Sequence, residues 1–75
     1  MSIDELTFTE DAIEAIGQKQ TEEQFVGCHK GAIQDEARRI YRIAQQLVYA
    51  QGSVRKAQNF TKKCLDKARR DYFPA

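Results

Sequence analysis

The sequence predicts an all-α fold: a small three-helix arrangement around an antiparallel helical hairpin spanning about residues 32–51 and 54–72. Apolar residues recur at helical spacing through both stretches. Only Gln51, Gly52 and Ser53 separate them, and so short a link forces two helices antiparallel. The one proline, Pro74, stands near the C-terminal end, so no proline closes residues 1–73 to helix.

The N-terminal third predicts a first helix over about 9–18. Thr7 and Glu10 have capping-box spacing ahead of Ala12, Ile13, Ala15 and Ile16, and Phe8, Ala12 and Ile16 share a face. Gly17 weakens the helix there. Thr21 and Gln24 form a second box with Phe25 and Val26 behind it. Gly27 and Gly31 then leave two starts open for the next helix, Thr21 or the neighbourhood of Gly31, with its end at about 51.

That helix carries the clearest periodicity. Ile33, Ala37, Ile40, Ala44 and Leu47 are spaced 4-3-4-3, one continuous stripe. Tyr41 and Val48 widen it on one side, Ile43 and Ala50 on the other. So wide a face predicts two neighbours, and the first helix is expected to be one of them. Gly52 suits a left-handed C-terminal residue, and Ser53 suits an N-cap.

The final helix lays Val54, Ala57, Phe60, Cys64, Leu65, Ala68 and Tyr72 on one face. Folding about Gly52 places residues whose numbers sum to about 104 opposite each other. Phe60 is then expected against Ala44, Ala57 against Leu47, Cys64 against Ile40, and Tyr72 near Ile33. Large opposes small at two of these contacts, as in interdigitated helix faces.

Composition bounds the function. The chain has 75 residues, 41% apolar and 31% charged, with net charge +1. That predicts one domain with a thin core and modest stability unless a partner or second copy adds burial. No apolar run approaches the roughly 20 residues that span a bilayer, so no membrane association is expected. Residues Met1 to Thr9 are acidic and lack a signal-peptide pattern, which points to a cytoplasmic setting.

Chemistry-bearing motifs are sparse. Cys28, His29 and Cys64 offer three soft ligands, but zinc sites in sequence show paired ligands at both ends, and Cys64 is explained by the core stripe. Adjacent Cys28 and His29 diverge by about 100° on a helix and make no nucleophilic dyad. The Gly27–Gly31 segment lacks the trailing Lys-Ser/Thr of a phosphate loop, and the dispersed acids lack the alternation of a calcium loop. No enzyme activity, metal or cofactor is expected.

What remains is surface. Residues 1–25 hold seven acids and one base; residues 51–75 hold seven bases and two acids. Arg55, Lys62 and Arg69 recur every seven residues; Lys56, Lys63 and Arg70 run parallel, with Lys67 beside them. Such rows serve as a solvated face, as a partner for the acidic first third, or as a track for a phosphate backbone. The run Leu47 to Tyr72, with Gly52, Val54, Ala57, Leu65 and basic residues near its end, resembles the Fis-type helix-turn-helix. The resemblance implies a basic recognition helix after a turn. Only Asn59, Phe60 and Thr61 stand where that family has its turn, and they continue the helical stripe, so one helix across 54–72 is expected.

The function expected is a small helical protein–protein interaction module, an adaptor, inhibitor or regulatory subunit, monomeric or homodimeric, with Arg38, Arg39, Tyr41, Arg42 and Tyr49 as partner-binding residues. The alternative is nucleic-acid binding through Arg55, Lys56, Lys62, Lys63, Lys67, Arg69 and Arg70.

Overall fold

The computed structural model describes residues 3–72, and the side chains of residues 4–71. The described residues form four helices: α1 (Ile3–Gly17), α2 (Glu22–Gly27), α3 (Ile33–Gln51) and α4 (Val54–Tyr72). The all-α class and both hairpin helices match the expectation, with one short helix more than the three foreseen.

The first helix is longer than predicted. It begins at Ile3, with Asp4 and Glu5 in its first turn, where carboxylates oppose the helix dipole favourably. Thr7, expected at its mouth, lies well inside. Thr9 is buried because its hydroxyl donates to the Glu5 carbonyl at 2.7 Å, which removes the cost of a bare polar group. At the other end Lys19 takes a left-handed φ of 62°. Its N–H donates to the Ile16 carbonyl, and the Gln20 N–H donates to that of Ala15, a Schellman closure built on lysine.

The two open starts resolve into two helices. Thr21 caps α2 with the foreseen box: its Oγ1 accepts from the Gln24 N–H at 3.2 Å, and Gln24 Oε1 accepts from the Thr21 N–H at 2.8 Å. The helix ends after six residues. The chain then turns through Gly31, whose φ of 64° suits a residue without Cβ, and α3 starts at Ile33. Gly52 closes α3 at φ 92°, and the Ser53 hydroxyl accepts from the Lys56 N–H at 3.1 Å to open α4.

The packing differs from the predicted zipper. α1 packs extensively on both α3 and α4, which touch each other far less, while α2 covers another side of α3. Ala12, Ile13, Ala15, Ala37, Ile40, Ala44 and Ala57 join Phe25, Val26 and Tyr41 in the core. The alanines let α1 wedge between the hairpin helices, so α3 and α4 splay.

Phe60, expected buried against Ala44, instead stands 44% exposed. The buried line of α4 runs instead through Ala57, Thr61 and Leu65. Thr61 is 1% exposed, its hydroxyl donating to the Ala57 carbonyl at 3.1 Å and within 3.0 Å of that of Gln58. Ile33 is also solvent-facing. Its expected approach to Tyr72 lies outside the described side chains. Through Asn59, Phe60 and Thr61, α4 is unbroken, so the turn of a Fis-type helix-turn-helix is not formed. The molecule measures 40 × 30 × 16 Å, a slab less than two helix diameters thick.

Candidate functional site

The five residues expected to bind a partner do not share one surface. Tyr41, expected outside, is 4% exposed: its ring packs 5.7 Å from that of Phe25, and its hydroxyl donates to the Gln20 carbonyl at 2.7 Å. Burial, and secondarily the Glu22 carboxylate, push its phenol above the usual tyrosine range. Tyr49 is 90% exposed on the outer side of α3.

The three arginines face the acids of the N-terminal half. Arg38 Nη1 lies 3.0 Å from Glu23 Oε1 and 3.6 Å from Glu22 Oε2, and Arg42 Nε lies 2.9 Å from Glu22 Oε1. Together they clamp α2 onto α3. Arg39 hydrogen-bonds Glu36 and approaches Glu5 of α1 at 3.9 Å. The bond to Glu23 holds the Arg38 guanidinium above its usual range, and the bond to Glu36 does so for Arg39. The acidic first third thus does find basic partners within the chain, but on α3 and not on the last helix, as the charge distribution had suggested.

The cations of α4 are placed differently. Arg55, Lys56, Lys62, Lys63, Lys67, Arg69 and Arg70 are all exposed, and among the described residues none has a carboxylate within 4.0 Å. The two rows lie side by side, about 100° apart around the helix. Lys62 shares a cleft with Glu10 and Glu14 of α1, so the Arg55–Lys62–Arg69 row borders negative charge. In the second row Lys56 and Lys63 bracket Phe60 around a shallow depression. Lys67 and Arg70 continue that row at helical spacing.

Beside Phe60 lies a feature that sequence reasoning missed. The splay of α3 and α4 opens an apolar groove of about 330 Å³. Leu6 and Thr9 of α1 form its floor. Ile43, Leu47 and Ala50 form one wall, with Gln46 at the rim, and Phe60 and Thr61 form the other. Both threonine hydroxyls are spent on carbonyls of their own helices, so the walls behave as apolar. The widening of the α3 stripe by Ile43 and Ala50 was the readable signal; the expectation that the first helix would cover the wide face concealed the groove.

The soft ligands do not converge. Cys28 is exposed, with its thiol donating to the Gln24 carbonyl at 3.3 Å, while Cys64 lies on α4. The His29 ring is 5.0 Å from that of Phe8 and 5.1 Å from that of Phe25, a packing role. Among the described residues no three His, Cys, Asp or Glu side chains group as metal ligands. Nor is any of their helices long and apolar enough to cross a membrane.

No protein-family model, no curated protein and no solved structure matches the chain significantly.

Proposed function

We propose that this chain is a protein-interaction module that receives a segment of a partner in the groove between α3 and α4. One observation carries the reading: a large aromatic side chain, Phe60, left 44% exposed at the lip of a continuous apolar groove. Apolar surface gathered in a concave groove and rimmed by polar residues is characteristic of interaction sites. The groove also has the walls that helical domains offer to peptide segments. A module of this kind acts as an adaptor, inhibitor or regulatory subunit, by occupying its target.

The test uses two variants that spare the core. Ala50 is exposed at the groove, so Ala50→Arg obstructs it without touching buried residues, and Phe60→Ala removes the lip. A partner retained from host extract by the native chain should be lost by both variants and kept by Lys62→Gln/Arg69→Gln. Retention that survives both groove variants sinks the proposal.

A second reading rests on the seven exposed cations of α4, without a carboxylate partner among the described residues, which would follow a phosphate backbone over the roughly 22 Å of helix from Arg55 to Arg70. It predicts salt-sensitive retention on DNA or RNA, abolished by changing Lys62, Lys63, Arg69 and Arg70 to glutamine. Absence of any mobility shift at low salt ends it, since screening is weakest there. Glu10 and Glu14 beside Lys62 weigh against this reading.

A further inference from the structure

We infer that the occupant of the groove is an amphipathic helix of a partner protein, acidic along the flank that faces α4. This rests on the groove being a docking surface.

The walls select a helix. An extended segment leaves its own N–H and C=O groups seeking partners, and those groups must be satisfied when buried. The groove offers apolar side chains, and its two threonine hydroxyls already bond within their helices. Among the described residues there is no strand whose edge could pair with a peptide. A helix satisfies its backbone internally and needs only an apolar face. From Ile43 to Ala50 the wall rises about 10 Å, room for two turns of a guest helix touching α3 and α4 together.

The charge selects acids, and on one side only. Along the α4 lip, Lys56 and Lys63 flank Phe60, with Lys67 next in the row, and none has a carboxylate within 4.0 Å among the described residues. On the α3 side Arg39 is held by Glu36 and Glu5, and Arg42 by Glu22. A guest with apolar residues at helical spacing and carboxylates along one flank therefore meets apolar wall and free cations in a single orientation.

A second copy of the chain fits poorly. Groove-to-groove pairing sets each lysine row against the partner's lysine row or against its α3 wall, where Ile43, Gln46, Leu47 and Ala50 offer no carboxylate. Helix α1 could supply acids, but Ala12, Ile13 and Ala15 are buried in its own core, leaving Asp11, Glu14 and Gln18 outward without an apolar anchor.

The experiment is a selection from a phage-displayed library of randomised 14-residue helical peptides (about four turns), with the best binder then measured against folded variants checked by circular dichroism. The expected winners carry apolar residues at i, i+4 and i+7 with Asp or Glu along one flank. Their binding is lost with Ala50→Arg and Phe60→Ala, weakened roughly tenfold by Lys56→Glu/Lys63→Glu, and reduced by salt. Winners that are neutral or basic yet still blocked by Ala50→Arg overturn the acidic partner and leave the docking groove standing. A selection that yields no binder sensitive to Ala50→Arg overturns both. Concentration-dependent dimerisation that Ala50→Arg abolishes assigns the groove to a second copy, and displacement of the winning peptide by an oligonucleotide at physiological salt assigns the lip to nucleic acid; either overturns the inference.

Discussion

Replacing Ile13 with alanine should destabilise the fold more than replacing Phe60 with alanine, although phenylalanine is the larger side chain. Ile13 is 0% exposed in α1, the helix wedged between α3 and α4. Truncating a fully enclosed isoleucine loses its transfer free energy and leaves a cavity, together about 2–5 kcal/mol. Phe60 is 44% exposed. Complete burial of phenylalanine is worth about 1.5–3 kcal/mol, so a little over half of that, about 1–1.5 kcal/mol, is at stake. No cavity term is added, because the groove is open to water. A chain of this size has roughly 4–11 kcal/mol in all, so Ile13→Ala should remove a large share of it. Urea unfolding followed by circular dichroism measures both changes, provided the slope of the transition is unchanged. If Phe60→Ala costs as much as Ile13→Ala, then Phe60 lies in a closed α3–α4 seam, and the wedge role of α1 is wrong.

Tyr41→Phe should cost about 1 kcal/mol by removing the bond to the Gln20 carbonyl, measured in the same way. Because the folded phenol titrates above its unfolded value, its contribution is complete below about pH 10 and is lost as pH rises through the folded pKa; the alkaline fall in stability should be smaller in Tyr41→Phe. Lys19→Gly should raise stability by about 0.5–1 kcal/mol, since lysine carries a left-handed penalty there that exceeds the extra chain entropy of glycine; a lower melting temperature would contradict this. Glu22→Gln removes the ion pair of Arg42 and the longer of the two on Arg38, which keeps Glu23, so the variant should lose a little stability at low salt and approach the native chain at about 0.5 M salt, followed by thermal melts at each ionic strength.

The hairpin was legible because its signals are local. The turn residues Gly52 and Ser53 act through their own backbone and hydroxyl, and the Thr21–Gln24 box closes within four residues. The register of α4 was not legible. Phe60 and Thr61 stand about 100° apart on the helix, and an apolar pattern assigns the core to the phenylalanine. The hydroxyl of Thr61 bonds back to its own helix, which allows threonine to take the interior position, and no hydropathy pattern reports that. Partner choice among charges was hidden similarly. Seven acids in the first third were visible, but only the fold shows Glu22 and Glu23 closing on Arg38 and Arg42 while the lysines of α4 have no carboxylate partner among the described residues. The groove, the site on which the proposed function rests, is a product of this three-dimensional arrangement.

The wedge of α1 between α3 and α4 also sets how the chain must find its fold. Its contacts join residues 3–17 to residues 54–72, far apart in sequence. Ring closure across residues 18–53 has to be met in entropy before those contacts return anything. The route is thus longer-range than an up-and-down bundle of equal size, and slower. During synthesis α1 emerges before α4, and until α4 arrives the apolar stripe of α1 has only half its shelter.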